Sequence, residues 1–179
     1  AGKPAVSHAQ NKSPMRIKFK SVATALALCL VLQVQADTLL GKVIHVQDGD
    51  TITVLDDTHT QHIIRLTGID APEKRQAFGN VSKQSLADMV AGKPVAVEWV
   101  KVDRYGRKLG KVLLAGLDSN LVQVKRGLAW HYKQYQREQS PTDQQSYAAA
   151  EIEAREAKLG LWQDADPVPP WEFRHKGKP

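Results

Sequence analysis

The stretch from Leu39 to Glu73 reads LLGKVIHVQDGDTITVLDDTHTQHIIRLTGIDAPE. Apolar and polar residues largely alternate through LLGKVIHVQ, TITVLD and QHIIRLT, which are rich in β-branched side chains. The polar sequences DGD and DDTHT separate the three segments and are typical of turns. This stretch therefore predicts three consecutive antiparallel strands.

The sequence after this stretch predicts two more strands and three helices. The segment VSKQSLADMVAGK has apolar residues near helical spacing and stops at Gly92, which predicts a helix of about ten residues. Strands PVAVEWV and KLGKVLLA follow, joined by KVDRYGR. Next comes a short helix, NLVQVKR, with Ser119 as its cap, and the last helix runs from Ser140 to Gly160.

The last helix carries an apolar stripe that we expect to pack on the strands. The stripe consists of Tyr147, Ala150, Ala154, Ala157 and Leu161. The charged residues expected to stay in solvent are Glu151, Glu153, Arg155, Glu156 and Lys158. The order of elements is compatible with an α+β fold, a five-stranded, partly open β-barrel of the oligonucleotide-binding (OB) type with three helices.

The beginning of the chain has the features of an export signal. A basic stretch after Met15, an apolar run over residues 21–34 and a terminal VQA predict a signal peptide over residues 15–36, cleaved after Ala36. An uncleaved membrane anchor is the alternative, although the apolar run is shorter than the ~20 residues that span a bilayer. Residues 1–14 form an upstream segment of unknown status. We expect an exported protein, periplasmic or secreted, without stable membrane association after cleavage.

Removal of this leader changes the charge and the cysteine content. The chain has 25 basic and 19 acidic residues, and five of the basic residues lie within residues 1–36. The remaining 143 residues therefore carry a net charge of only +1, so attraction to nucleic acid requires local clustering of arginines. Cys29 also lies in the leader, which excludes disulfides, thiolate metal sites and a cysteine nucleophile from the mature protein.

The mature chain is long enough for one compact domain with a core, but not for two domains of ordinary size. We assign residues 37–163 to this domain. Residues 164–179 form a proline-rich tail that we expect to be irregular, with Trp171 and Phe173 as possible anchors onto the domain.

Two loops carry clustered acidic residues, Asp48 and Asp50 in DGDT and Asp70 and Glu73 in GIDAPE. If the second and third strands form a hairpin, Asp50 and Asp70 converge, and two convergent carboxylates repel each other unless a cation lies between them. Ala71 precedes a proline and is held extended, which could aim its carbonyl at the same point. Such an all-oxygen site suits calcium better than zinc or copper. The alternative is that both loops are ordinary polar turns.

Two arginines strengthen the first interpretation. Arg65 lies just before the second acidic loop, and Arg107 lies in DRYGR between the fourth and fifth strands. Guanidinium groups match the equatorial oxygens of a phosphodiester under attack, and Glu73 could orient or deprotonate the attacking water. The alternative is a surface ion pair for each arginine, Arg65 with Glu73 or Arg107 with Asp103.

The three motifs together, DGDT, RLTGIDAPE and DRYGR, resemble the staphylococcal nuclease (thermonuclease) family over about residues 39–162. The resemblance implies an OB-fold barrel with added helices, dependence on Ca²⁺, and endonucleolytic hydrolysis of DNA and RNA that leaves 3'-phosphate ends. It assigns calcium binding to Asp50, Asp70 and the carbonyl of Ala71, with Asp48 as a neighbouring acid that does not touch the ion. The implied catalytic trio is Arg65, Glu73 and Arg107.

The sequence departs from the family pattern in the substrate-binding parts. The loop after GIDAPE is shorter than the lysine-rich loop of the type protein, and Ala71 replaces a threonine there. Tyr105 matches a nucleotide-site tyrosine, and Arg104 replaces a lysine. Tyr132 and Tyr135 in WHYKQY are candidates for the two later nucleotide-site tyrosines, and a packing role is the alternative for each.

Contacts through metal, arginines and stacking recognise phosphates and base faces instead of base edges. We therefore expect a monomer that acts on DNA and RNA with little sequence preference and that prefers single strands. The alternative is a non-catalytic OB-fold module that binds nucleic acid, but such modules generally lack the acids and arginines present here.

Overall fold

The computed structural model describes residue 2 and residues 37–176. The predicted signal peptide over residues 15–36 lies outside the described residues, and so does the upstream segment apart from residue 2. Among the residues that the structure does describe, no helix has the length and apolar character needed to cross a bilayer.

Eight strands and four α-helices make up residues 37–176. The strands are β1 Asp37–Val46, β2 Thr51–Leu55, β3 Gln61–Leu66, β4 Ile69–Asp70, β5 Pro94–Val102, β6 Lys108–Leu114, β7 Leu117–Asp118 and β8 Trp130–His131. The helices are α1 Gly79–Val90, α2 Ser119–Lys125, α3 Pro141–Glu156 and α4 Pro170–Lys176. Short 3-10 helices cover Lys133–Glu138 and Gly160–Gln163.

Five strands close into a barrel. They are hydrogen-bonded in the order β3, β2, β1, β5, β6, and β3 also pairs with β6. The closing pair is parallel and sets Arg65 opposite Leu109, whereas the other barrel pairs are antiparallel. The predicted five-stranded OB-type barrel is confirmed. The short strands β4 and β8 form a separate antiparallel pair beside it.

Alternation along the strands fills the barrel interior, because successive side chains of a strand point to opposite faces. The fully buried apolar residues include Val43, Ile52, Ile64, Val97 and Val112, one from each barrel strand. Leu86 and Val90 on α1 and Val124 on α2 extend the same core. The antiparallel strands β1, β2 and β3 were predicted from apolar residues in these segments, and the apolar residues Val43, Ile52 and Ile64 of the three strands are indeed buried.

Helix α2 is tied to the barrel closure by a buried amide. The side-chain oxygen of Asn120 accepts the N–H of Val112 at 3.1 Å, and its nitrogen donates to the carbonyls of Thr67 at 3.0 Å and Gly110 at 3.1 Å. These bonds satisfy main-chain groups at the end of the parallel β3–β6 pair.

Several helix boundaries differ from the predictions. Helix α2 is capped by Asp118, whose carboxylate accepts the N–H of Leu121, and Ser119 is its first residue. Helix α3 begins as predicted, with Ser140 as cap and a proline at its first position, but it ends at Glu156 instead of Gly160. Ala157, predicted in the buried stripe, is consequently exposed just beyond the helix.

Glu151 was predicted to lie in solvent, and this prediction was wrong. It is 2% exposed, accepts the N–H of His131 at 3.1 Å and pairs with Lys133. Helical periodicity places Glu151 next to the buried residues Ala150 and Ala154. It cannot show that the N–H of His131, at the end of β8, needs a hydrogen-bond acceptor at this position.

The proline-rich tail was expected to be irregular, and it instead contains a fourth helix beyond the three predicted, α4. Trp171 anchors this helix, as predicted, since its ring stacks on Tyr132 and meets Trp130 edge-on, each at 5.5 Å. The tail therefore packs on the domain and brings α4 beside the acidic loops.

Candidate functional site

The first acidic loop connects β1 to β2 and is held against two helices. The side chain of Asp48 accepts the N–H of Asp50 at 3.0 Å, which forms a tight Asx-type turn. Gly49 is required at its centre, because a Cβ there would lie 1.9 Å from the hydroxyl oxygen of Ser82. The Gln123 side chain of α2 donates to the Gly49 carbonyl at 3.0 Å. The loop thereby holds Asp50 in a fixed, buried position with 6% exposure.

The second acidic loop is fixed by the β4–β8 pair. Asp70 lies opposite Trp130 in this pair and is fully buried. The N–H of Ala71 donates to Oδ2 of Asp50 at 2.6 Å, which joins the two acidic loops directly. The Ala71 carbonyl accepts no hydrogen bond from the residues that the structure describes. The convergence of Asp50 and Asp70 that hairpin pairing suggested is present in the structure, and the N–H of Ala71 lies at the same point.

Arg65 lies between the two buried aspartates. One terminal nitrogen of its guanidinium is 3.0 Å from Oδ2 of Asp50, and the other is 2.8 Å from Oδ1 of Asp70. The same group donates to the carbonyls of Leu66 and Ile69, each at 3.1 Å. Arg65 therefore forms ion pairs with the two aspartates. The surface-pair alternative supposed an ion pair with Glu73, which the structure does not show.

The Asp50 carboxyl is under electrostatic stress. Burial raises its pKa to about 7, and the negative charges of Asp48 and Asp70 add to the rise, while Arg65 and the N–H of Ala71 oppose it. Two aspartates so close together, both removed from water, destabilise each other when ionised. A further positive charge at this point would relieve that cost.

The oxygen atoms at this point fit a hard divalent cation. The carboxylates of Asp50 and Asp70 and the free carbonyl of Ala71 are the ligand types that calcium binds. Within residues 37–176, no three His, Cys, Asp or Glu side chains are grouped to enclose a metal ion. A cation here would therefore complete its coordination with water or with substrate oxygens.

Glu73 lies at the rim of the same site, with 40% of its side chain exposed. Its N–H donates to the side chain of Gln76, and its carbonyl is approached by the start of α1, where a Cβ on Gly79 would lie 2.0 Å from it. Its carboxylate pairs with Arg174 of α4 at 2.8 Å. Arg174 also forks onto Asp70, at 3.2 Å to Oδ1 and 2.8 Å to Oδ2.

Arg107 does not touch the carboxylates just described. It pairs with Asp103 of its own loop at 2.8 Å, which is the contact that the surface-pair alternative anticipated. The Asp103 carboxylate also accepts the N–H groups of Tyr105 and Arg107, and the guanidinium of Arg107 lies 5.5 Å from the centre of the Tyr105 ring. The guanidinium of Arg104 lies 4.8 Å from the centre of the same Tyr105 ring.

The tyrosines predicted as nucleotide contacts differ in exposure. Tyr105 and Tyr135 are both exposed large side chains. Tyr132 is partly buried, stacked on Trp171 with a 12° angle between the rings, and meets Tyr135 edge-on at 5.0 Å. The packing alternative therefore describes Tyr132 in this structure, and two exposed rings remain available for stacking.

Sequence reasoning missed the residues that reach this site from far along the chain. Arg174 of α4 contacts Asp70 and Glu73, 104 and 101 residues away in sequence, and Gln123 of α2 contacts Gly49, 74 residues away. Only one signal was available, namely that WEFR in the tail follows a proline pair with an aromatic residue and an arginine at helical spacing.

Comparison with known proteins agrees with this geometry. The family model described as "Staphylococcal nuclease homologue" matches residues 63–164. An "Uncharacterized endonuclease" of Escherichia coli O157:H7 is 47% identical over 137 residues, which cover 76% of this chain and 85% of that protein. A "Micrococcal nuclease" of Shigella flexneri is 41% identical over 170 residues, covering 89% and 94%. An "Uncharacterized endonuclease" of Haemophilus influenzae is 39% identical over 137 residues, covering 76% and 74%.

Proposed function

The chain belongs to the staphylococcal nuclease family, and from that premise we propose that it is an exported, calcium-dependent endonuclease. It cuts the phosphodiester bonds of DNA and RNA with little sequence preference, leaves 3'-phosphate ends and acts as a monomer. The family relationship supports a hydrolytic nuclease with nucleic acid as substrate. The metal, the end groups, the substrate range and the export are the parts that this proposal adds.

One observation carries the proposal: the guanidinium of Arg65 lies 3.0 Å from Asp50 and 2.8 Å from Asp70, both buried. Two buried carboxylates close to each other cost free energy unless a positively charged ligand binds beside them. Here the two carboxylates can bind a metal cation, and the guanidinium group of the arginine can bind a phosphate, which are the two sources of positive charge that phosphoryl chemistry uses.

Asp50, Asp70 and the Ala71 carbonyl would hold the calcium ion. Bound there, calcium would add positive charge at the scissile phosphate and polarise its oxygen atoms. The hydrogen bond from the N–H of Ala71 to Oδ2 of Asp50 holds this carboxylate against the second acidic loop. Asp50 is therefore already oriented before an ion binds.

Glu73, Arg65 and Arg107 would carry the chemical step. Glu73 orients the attacking water and accepts its proton, and its partial exposure leaves room for that water. The two arginines would donate paired N–H groups to the equatorial oxygens, for which Arg65 would have to give up its bonds to Asp50 and Asp70. The 5'-oxygen would leave and take up a proton from solvent water. Arg107 must exchange its contact with Asp103 for the phosphate, which is feasible because that pair is partly exposed and therefore weak.

Substrate binding would depend on phosphate contacts and on stacking. Arg104 with Tyr105, and Tyr135 near the end of β8, are placed on exposed segments where bases could stack. Tyr132 would contribute only if Trp171 moved from its ring. Single strands are preferred in this proposal, because their bases are free to reach aromatic faces.

The proposal of export is supported by the sequence pattern of residues 15–36 alone. Expression of the full chain in a bacterium, followed by mass determination of the product in the periplasm and in the medium, tests it. A product that begins at Asp37 supports cleavage after Ala36, whereas uncleaved protein in the membrane fraction supports the anchor alternative.

Digestion of a plasmid and of a defined RNA by the purified protein tests the activity. We expect cutting with calcium, little with magnesium and none with chelator, and products that a ligase accepts only after the 3'-phosphate is removed and the 5' end phosphorylated. Glu73→Ala should lose most of the activity and keep a small, measurable residual rate, and Glu153→Ala, an exposed glutamate of α3, is the matched control.

Two outcomes would contradict the proposal. Cutting that persists in chelator would exclude the metal-dependent mechanism. Binding of oligonucleotides without cutting by any metal-loaded form would instead favour the non-catalytic module.

A further inference from the structure

Arg174 brings a charge from the far end of the chain into the acidic site. Its guanidinium forms a fork onto both carboxylate oxygens of Asp70 and donates a third bond to Oε1 of Glu73 at 2.8 Å. These contacts span 101 to 104 residues of sequence. Arg65 also binds Oδ1 of Asp70, so two guanidinium groups hold this carboxylate.

Arg174 is the partner that fixes the direction of the Glu73 side chain. Among the residues that the structure describes, no other group donates a hydrogen bond to the Glu73 carboxylate. A glutamate in a loop with 40% exposure has several accessible rotamers, and selecting one of them costs entropy unless a contact compensates. The ion pair with Arg174 provides that contact.

Helix α4 is held on the domain independently of the ion pair, so Arg174 is presented from a docked element. Trp171, one turn before it, stacks on Tyr132 and meets Trp130 edge-on. The side chain of Gln76, in the loop that carries Glu73, donates to the carbonyl of Val168 just before the helix. The tail is therefore joined to the rest of the domain at two points besides the arginine, and one of these points lies in the Glu73 loop.

We propose that Arg174 is a positioning residue of the active site, which holds Glu73, and with it Asp70, in the orientation that hydrolysis requires. The inference rests on the proposed function, in which Glu73 handles the attacking water. The C-terminal helix is on this view a part of the active site and not only a tail. Arg174 acts through Glu73, so its loss should lower kcat more than it changes KM.

The expected size of the effect follows from geometry. A misplacement of about 1 Å in a catalytic group can cost on the order of 10²-fold in rate. Because Glu73 would still reach the correct rotamer part of the time, Arg174→Ala should lower kcat by about 10- to 100-fold. Arg174→Lys should restore part of the loss, since one ammonium can pair with Glu73 but cannot fork onto Asp70 as well.

The experiment measures kcat and KM of the full-length processed protein on a labelled single-stranded oligonucleotide at saturating calcium. Variants are Arg174→Ala, Arg174→Lys, Glu73→Ala and the double variant of Arg174 and Glu73 to alanine. The matched control is Arg126→Ala, an exposed arginine whose guanidinium donates to the hydroxyl of Ser85 at 2.9 Å. Calcium binding is measured separately by calorimetry, and Tm checks the fold of each variant.

We expect a lower kcat for Arg174→Ala with KM within about threefold, and wild-type values for Arg126→Ala. Arg174→Ala should cost little more in the Glu73→Ala background, because the two residues act as a unit. Its calcium affinity should be equal to or higher than that of the wild type, because a positive charge beside Asp70 has been removed.

Unchanged kcat in Arg174→Ala, or an equal loss in Arg126→Ala, would overturn the inference. A rise in activity together with tighter calcium binding would overturn it too, because Arg174 would then be a competitor of the metal. An undiminished effect of Arg174→Ala without Glu73 would show that it does not act through that residue. A wild-type protein that cuts nothing with any metal would overturn the proposed function first, which separates the two failures.

Discussion

Asp50 is buried between Asp48, Asp70 and Arg65. The substitution Asp50→Asn tests whether its ionised carboxylate destabilises the metal-free protein, a cost that a bound cation would offset. Asparagine has the shape of the protonated acid. Its carbonyl oxygen can still accept the N–H of Ala71, as Oδ2 of Asp50 does at 2.6 Å. The substitution therefore removes the charge with little change in packing.

The magnitude follows from the pKa of Asp50, which burial raises from 3.8 to about 7. Each pKa unit corresponds to 1.36 kcal/mol, so the ionised carboxylate lowers the stability of the metal-free protein by roughly 4 kcal/mol above pH 7. The attraction of Arg65 for the ionised carboxylate is already contained in this pKa. Asp50→Asn should therefore stabilise the metal-free protein by up to about 4 kcal/mol at pH 8.

The sign with pH follows from a pKa that is higher in the folded state than in the unfolded state. The favourable contribution of the protonated Asp50 is fully present below about pH 3.8 and is lost as the pH rises through about 7. The wild type should thus lose stability relative to Asp50→Asn as the pH increases, with a gap that grows by roughly 2–3 kcal/mol between pH 5 and pH 8.

Urea unfolding in the presence of chelator at both pH values measures this gap, and calorimetry with calcium should show that Asp50→Asn no longer binds the ion. Asp56→Asn is the matched control, because a hydrogen bond from His62 holds the pKa of Asp56 below its usual range. That exchange should destabilise the protein. A variant Asp50→Asn that is less stable than the wild type, or whose gap does not depend on pH, would refute the reasoning.

Three further substitutions test other parts of the molecule. Arg65→Lys keeps the charge but cannot reach both aspartates and two carbonyls, so the nuclease assay should show a loss of about 10²–10³ in kcat; full activity would exclude a fork at that position. Glu151→Ala leaves the buried N–H of His131 without its acceptor and should lower the free energy of unfolding by about 1–3 kcal/mol, measured in urea. Gln123→Ala removes the donor to the Gly49 carbonyl and leaves a cavity, which should cost about 2–4 kcal/mol and weaken calcium binding in calorimetry; calcium affinity equal to that of the wild type would show that the loop does not need this support.

The barrel could be predicted from the sequence because its information is local. Alternation from Leu39 to Leu66 and the intervening polar turns determine three antiparallel strands, and β5 and β6 follow from similar patterns. The parallel β3–β6 pair that closes the barrel has no such local signal. It depends on Asn120, a helix residue whose side chain bonds to main-chain groups on both sides of the closure.

The candidate site could be predicted as far as hairpin geometry extends. The pairing of β2 with β3 puts Thr51 opposite Arg65, so Asp50 and the residues after β3 necessarily meet. What the tail and the helices contribute is set by tertiary packing. Arg174 approaches Asp70 because Trp171 stacks on Tyr132 and because Gln76 binds the carbonyl of Val168, contacts that no local pattern predicts. A period of 3.6 residues also could not distinguish buried Glu151 from its exposed neighbours.

The charges around Asp70 bear on how residues 37–179, which carry a net charge of only +1, could act on a polyanion. With their carboxylates ionised, Asp50, Asp70 and Glu73 carry −3 and Asp48 adds a further negative charge beside Asp50, whereas Arg65 and Arg174 contribute +2. The site alone is therefore net negative and would repel a phosphodiester. A bound divalent cation would neutralise this charge at the point where the phosphate must lie, and burial would strengthen that interaction because screening by water is reduced there. On this count a bound cation, and not the overall charge of residues 37–179, would remove the repulsion between the site and its substrate.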